Sequence, residues 1–380
     1  MRTLLLTGPG GAGRTTLAAA TALSASLSGT RTLVLGADRG DSLGAALGVP
    51  TGDTPVAVND HLTAWRPDPS AGFRDDFLRF QEKATGALDL LGASRLEAEE
   101  MTSLPGAEEL NLLRALRDAV LSERFELVVV DLPPTPQALA LLALPEELRR
   151  YIRRLLPAER QAARALRPVL GRLAGVPMPA EWLYETAGKW DLELAAVEAV
   201  LADPGTGVRV VAEPGPAGDD AVRDVRLGLA LRQLPLEELV ANRVLPDEGG
   251  WLAGVVAQQR KALDEWDAET VVHLGRDPRG GDDLRDLAVP PVNLPAPPVE
   301  WPVTEGDGTF VWTLPLPGAV REELDLIRRG DELVVSVGRF RRIVGLPSAL
   351  RRCTVEGASL RDGELRVRFA PDPELWPRER

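Results

Sequence analysis

Residues 7–16 read TGPGGAGRTT, and their neighbours give the stretch its meaning. Thr3–Thr7 is a short apolar run, Thr15–Ser28 has helical character and stops at Gly29, and Arg31–Gly36 is apolar again. Strand, glycine loop, helix and strand in this order are the setting of the phosphate-binding motif G-x-x-x-x-G-K-[ST]. Gly8, Gly13 and Thr15 keep that spacing, but position 14 carries arginine where the motif has lysine. Backbone N–H groups from Gly10 to Thr16 would converge on phosphate oxygens, with the positive end of the helix dipole behind them. Gly8, Gly10, Gly11, Ala12, Gly13, Arg14, Thr15 and Thr16 are therefore the candidate nucleotide-binding residues, and Thr15 would place its hydroxyl on Mg²⁺.

Further along, Leu127–Val130 runs into Asp131, Val208–Ala212 into Glu213-Pro214, and Leu239–Val240 leads to Asn242. Continuous apolar runs separated by helical stretches imply a parallel sheet covered on both faces, the doubly wound α/β class of P-loop NTPases. Asp38 and Asp131 each follow such a run, so both fall at the carboxyl edge of the sheet, where a carboxylate can orient Mg²⁺ or its waters. Either aspartate alone reads equally well as a helix cap or turn residue. With the loop they form a constellation, and Asp38 and Asp131 are taken as candidate catalytic and metal-site residues.

Long stretches rich in Leu, Ala, Arg and Glu, notably Phe73–Glu100 and Glu146–Asp203, exceed a normal crossover connection. They point to a helical subdomain drawn from about residues 60–120 and 146–203, within a first domain of residues 1–285. Pro290, Pro291, Pro295, Pro297, Pro298 and Pro302 mark an extended linker at 286–303. Beyond it the pattern changes to period two: Leu333, Val335 and Val337 alternate with Val334, Ser336 and Gly338, and Leu365, Val367 and Phe369 with Glu364, Arg366 and Arg368. Gly330-Asp331 and Asp362-Gly363 punctuate these runs as hairpin turns do, so residues 304–372 should form a small antiparallel β-sandwich.

The bulk composition removes several function classes. A formal charge of −13 opposes binding to a phosphate backbone, so no nucleic-acid partner is expected. The single cysteine, Cys353, excludes an internal disulfide and any multi-thiolate metal or metalloid site within one chain. The apolar run Leu4–Leu6 is too short for a signal peptide, and no stretch is long enough to span a bilayer, so a cytoplasmic location is expected. His61 and His273 stand apart from any acid or thiol pattern and are assigned nothing. The Arg149–Arg154 cluster reads as a solvated helix face, with contact of Tyr151, Ile152, Leu155 and Leu156 with a membrane or partner as the alternative. Of the 44 Lys and Arg residues only Lys83, Lys189 and Lys261 are lysine, so Arg14 reads either as a lost phosphate lysine or as one more product of a chain-wide preference.

Four segments in order, TGPGGAGRTT (7–16), ADRGDSLGAALG (37–48), VVVDLPPTPQALALLALP (128–145) and VANRVLP (240–246), resemble the arsenite-pump ATPase family (ArsA-like), which includes targeting factors for tail-anchored membrane proteins. The resemblance covers roughly residues 1–285. It implies ATP or ADP with Mg²⁺ as ligands, a homodimer or a heterodimer with a paralogue, and an apolar protein client or membrane-associated partner. Against the family pattern, Pro9 replaces the signature lysine that crosses to the partner subunit, Arg14 the phosphate lysine, and Ala45 the water-activating aspartate. Asp38, Asp131, Pro134, Thr135, Leu144 and Pro145 match, Pro136 and Gln137 depart, and Asn242 falls on the adenine-contacting asparagine. The implication is a degenerate ATPase with slow or absent turnover, or a non-catalytic subunit or scaffold that pairs with an active paralogue. Relatives hold clients in a methionine-rich groove, whereas only Met101 and Met178 lie in the helical stretches here. The segment from Pro302 to Pro371, with TLPLPG (313–318), RGDELVVSVGRFRR (329–342) and GASLRDGELRVRF (357–369), resembles the α-crystallin-type domain of small heat-shock proteins, which implies protein contact rather than chemistry. An unrelated small β-sandwich would show the same alternation.

Overall fold

The computed structural model describes residues 1–68, 71–83, 85, 94–102, 106–156, 181–247, 249–293, 297 and 299–375. It comprises two compact units, one of Met1–Leu6, Arg14–Thr206 and Leu274–Val292, the other of Thr7–Gly13, Gly207–His273 and Asn293–Arg380.

In the first unit the chain runs β1 (Arg2–Thr7), α1 (Arg14–Leu27), β2 (Thr32–Gly36), α2 (Ser42–Leu47), β3 (Val56–Ala57), β4 (Leu62–Trp65), α3 (Ala71–Lys83), α4 (Ala107–Leu121), β5 (Leu127–Asp131), α5 (Thr135–Leu155) and α6 (Glu181–Leu201), with a short late helix at Gly280–Asp286. The strands lie in the order β3-β4-β2-β5-β1. Leu4 faces Val129 and Val34 also faces Val129, both in parallel pairs, and only the two-residue β3 runs antiparallel. Every residue of β2 and β5 is buried, as expected for parallel strands covered on both faces. The predicted α/β class therefore holds.

Two local readings change. Helical material was expected from about residue 60, but Leu62–Trp65 is a strand paired with β2. Its alternating burial, Leu62 and Ala64 inward, is the period of a sheet, too short to register among the helical segments around it. The Arg149–Arg154 face is also not simply solvated, because Arg149 bonds Asp191 at 3.1 Å and also pairs with Glu198, and Arg153 approaches Asp191 at 3.2 Å, tying α5 to α6. Of the Glu146–Asp203 stretch, residues 157–180, including Met178, lie outside the described residues.

The second unit continues with β6 (Thr206–Ala212), α7 (Pro216–Leu231), β7 (Leu236–Val244), α8 (Ala253–Glu265) and β8 (Glu269–Val272), the strands parallel in the order β6-β7-β8. Bent into this sheet is a buried ion pair: Arg209 donates to both carboxylate oxygens of Glu237, at 2.9 and 2.7 Å, with both side chains at most 2% exposed. The linker is tied to the same place, since Asn293 N donates to Glu237 Oε1 at 3.0 Å.

The carboxyl-terminal part is a two-sheet antiparallel sandwich of β9 (Val303–Gly306), β10 (Thr309–Pro315), β11 (Leu324–Arg329), β12 (Glu332–Val337), β13 (Phe340–Gly345), β14 (Cys353–Arg361) and β15 (Glu364–Pro371). One sheet has the order β14-β15-β10-β9 and the other β11-β12-β13. Alternate residues Phe310, Trp312, Leu314, Leu333, Val335, Val337, Leu365, Val367 and Phe369 fill the space between them. The two-residue turns at Asp307-Gly308 and Asp362-Gly363 have positive φ throughout, the hairpin geometry that Asp-Gly favours.

The sandwich shares its core with Leu227 and Leu231, one turn apart on α7. Arg342 of β13 donates to Leu231 O at 2.8 Å and to Gln233 Oε1 at 3.1 Å, capping the carboxyl end of that helix. Its guanidinium also lies over the Trp301 ring, 5.2 Å from the centroid.

Candidate functional site

At the helix end of the loop, α1 begins with Arg14 and Thr15 at the point where β5 ends in Asp131. Thr15 Oγ1 donates to Asp131 Oδ2 at 2.6 Å. The other oxygen, Asp131 Oδ1, is buried with no hydrogen-bond partner among the described residues. Burial pushes this carboxyl from its ordinary 3.8 up to about 6, against the opposing pull of the Thr15 hydrogen bond and the Arg14 charge, while Asp38 adds repulsion. A second buried oxygen without such a partner, Thr135 Oγ1, lies four residues on at the start of α5.

Arg14 does not extend along the loop. Its Nη1 donates to Leu132 O and stands 4.0 Å from Asp131 Oδ1. Burial lowers the guanidinium's proton affinity, and the charges of Asp131 and Asp38 work against that. Asp38 is exposed and accepts from Gly40 N at 3.3 Å and Ser42 Oγ at 2.8 Å, which organises the turn into α2. The structure thus brings Arg14, Thr15 and Asp131 into contact, with Asp38 near enough to act on them by charge. Asp41, which the sequence reading passed over, caps α2 through Gly44 N at 3.1 Å and also accepts from Thr51 N at 3.0 Å. Ala45 sits exposed on that short helix.

At the glycine end, the backbone approaches its surroundings closely. A Cβ on Gly8 would stand 1.9 Å from Val211 O, and one on Gly13 would stand 2.4 Å from Asn242 Nδ2. Any side chain there would have to push the loop off strand β6 or displace the asparagine. Ala12 N closes a turn on Pro9 O at 3.4 Å. Asn242 is buried and its Nδ2 donates to Ala12 O at 2.8 Å, so this amide group supports the loop itself. Arg243 was not among the sequence candidates, since nothing in its spacing marks it. Its Nη1 donates to Gly11 O at 2.9 Å and lies 3.8 Å from Glu213 Oε2.

In one unit the Gly11 and Ala12 carbonyl groups are held by side chains of β7, and in the other the start of α1 carries a hydroxyl–carboxylate pair. Among the described residues no group of three or more His, Cys, Asp or Glu side chains gathers around a metal-sized space. No described helix is long and apolar enough to cross a membrane. A match to the anion-transporting ATPase (ArsA) family covers residues 1–269. The chain belongs to that family.

The HSP20-like domain found in ArsA matches residues 307–369, so this ArsA-family chain carries the β-sandwich as a recognised companion domain. It is 69% identical to a protein of Streptomyces coelicolor over all of both chains. It is 33% identical to a protein of Mycobacterium tuberculosis over 99% of this chain and 97% of the other. A protein of Aquifex aeolicus named as an arsenical pump-driving ATPase is 25% identical over 97% of this chain and 99% of its own length. The family resemblance read from the four motifs and from the carboxyl-terminal alternation is the one these matches give.

Proposed function

We propose that this ArsA-family chain binds ATP and ADP with Mg²⁺ at the loop Gly8–Thr16, hydrolyses ATP slowly or not at all, and acts as a dimeric, nucleotide-responsive factor for an apolar protein client or membrane-associated partner in the cytoplasm. The observation that carries the proposal is the Thr15–Asp131 pair, 2.6 Å apart at the end of a glycine loop, with one buried carboxylate oxygen left over.

That donor set suits Mg²⁺. Thr15 would supply a hydroxyl ligand and Asp131, with Asp38, would hold the ion's waters, while phosphate oxygens complete a shell that Mg²⁺ fills reluctantly with protein groups alone. When bound, the ion neutralises charge on the phosphates. The loop amides, and Arg14 if its guanidinium leaves Leu132 O, would hold the phosphates themselves. Arginine is a wider, planar cation than lysine and prefers paired acceptors, so phosphate contact from position 14 differs in geometry from that of the motif lysine. Ala45 offers no carboxylate to orient an attacking water, and Pro9 offers no cation to a partner subunit's phosphates. Binding is therefore retained and cleavage weakened. The β-sandwich, docked on α7, would serve as the surface for protein contact.

Single-turnover hydrolysis of Mg-ATP by the wild type and by the Arg14→Lys/Ala45→Asp double variant tests this. Slow or undetectable cleavage in the wild type and acceleration in the double variant are expected. A wild type as fast as the variant would contradict it. A second reading, a non-catalytic subunit that pairs with an active paralogue, draws on Pro9: a chain without the crossing lysine can receive that cation from its partner without returning it. Native mass spectrometry of the protein alone decides between them, since a stable homodimer counts against the second reading.

A further inference from the structure

Strand β7 carries an extra residue relative to β8: Ala241 faces Thr270 and Val244 faces Val272, so Asn242 and Arg243 oppose a single residue. Arg243 sits in the left-handed region at φ 57°, a conformation that L side chains seldom adopt. In a regular strand neighbouring side chains point to opposite faces. Here both reach the same loop, Asn242 to Ala12 O at 2.8 Å and Arg243 to Gly11 O at 2.9 Å. The bulge with its left-handed residue is the device that turns them the same way.

Because a peptide unit is planar, a captured carbonyl fixes the N–H of the next residue on the opposite side. Holding Gly11 O sets the Ala12 N–H that closes the turn on Pro9 O, and holding Ala12 O sets the Gly13 N–H. Glycine-rich backbone would otherwise flip these units freely. The Glu213 carboxylate, 3.8 Å from the guanidinium, steadies Arg243 from another side.

We propose that the Asn242–Arg243 bulge is a clamp on the loop and that Arg243 is the positioning residue that presets its amides for the phosphates of a nucleotide. The inference rests on the nucleotide reading above. Arg14 supplies the reason such a clamp matters: its guanidinium is engaged at Leu132 O and Asp131, so recognition falls more heavily on backbone N–H groups.

The test measures hydrogen exchange of peptides covering residues 7–16 in the unliganded full chain, and Mg-ADP affinity by calorimetry, for the wild type, Arg243→Ala, Arg243→Gly and Arg243→Lys. Arg243→Ala should speed exchange in the loop and weaken Mg-ADP about five- to tenfold, the scale of one ordinary net hydrogen bond, because solvent competes at this partly exposed guanidinium. Arg243→Lys, with a compact ammonium, should fall between. Arg243→Gly relieves the left-handed backbone and should melt higher than Arg243→Ala while binding no better, a split that a merely structural role would not give. Unchanged exchange and affinity in Arg243→Ala, or wild-type values of both in Arg243→Gly, would overturn the clamp. A wild type that bound no nucleotide would sink the nucleotide reading, and the exchange result would then decide the clamp alone.

Discussion

Replacing Asp131 by asparagine should stabilise the protein at alkaline pH while removing the carboxylate proposed to hold the waters of Mg²⁺. Asp131 is 3% exposed, and burial pushes its carboxyl from 3.8 up to about 6. That gap amounts to roughly 3 kcal/mol against the ionised form. A raised carboxyl favours the folded state while it is protonated. Its contribution is therefore full below pH 3.8 and is lost as the pH rises through about 6. Asp131→Asn keeps the shape and carries no charge. Its amide oxygen can still accept from Thr15 Oγ1, and the gap is already net of the Thr15 hydrogen bond and the Arg14 charge. The net gain at pH 8 should be about 2–3 kcal/mol, nearly all of it appearing between pH 4 and pH 8. Urea unfolding followed by far-ultraviolet circular dichroism at the two pH values reads both quantities. A variant whose stability follows the wild type with the same pH slope would refute the assignment of a destabilised, buried charge at this position.

Three other substitutions probe different parts of the account. Gly8→Ala puts a methyl 1.9 Å from Val211 O, so it should lower the melting temperature and abolish nucleotide binding even though alanine is the smallest possible change. Arg209→Met strands the buried Glu237 carboxylate and should cost about 3–5 kcal/mol in chemical denaturation, whereas Arg209→Met/Glu237→Met together should recover most of the loss. Leu231→Ala removes a side chain 1% exposed from the core shared by α7 and the sandwich, at a cost of about 2–4 kcal/mol, and should make the 286–303 linker more susceptible to limited proteolysis.

The sheet was legible because its strands are fully buried and read as unbroken apolar runs: Leu127–Val130 and Val208–Ala212 needed no context. The loop was legible because glycine spacing, strand and helix agree locally. The hairpins showed through period-two alternation and Asp-Gly turns. What stayed hidden depends on contacts distant in sequence. Strand β7 runs nine residues, yet its first residues, LEE, carry two charges, and the Glu237 carboxylate is compensated by the buried Arg209. Strand β8, ETVV, has one buried side chain and no apolar signature. The direction of Arg14 follows from Leu132 O and Asp131, more than a hundred residues away, and the reach of Arg243 follows from a bulge set by the pairing with β8. The docking of the sandwich on Leu227 and Leu231 depends on strands that follow some eighty or more residues later.

Calorimetric titration of the full chain with Mg-ATP, beside Thr15→Ala, tests most directly whether the loop still receives a triphosphate. One saturable site per chain in the wild type, with affinity roughly tenfold weaker in Thr15→Ala through loss of the hydroxyl from the metal and phosphate end, is the expected result. No saturable heat in the wild type, or identical binding in both proteins, would contradict it.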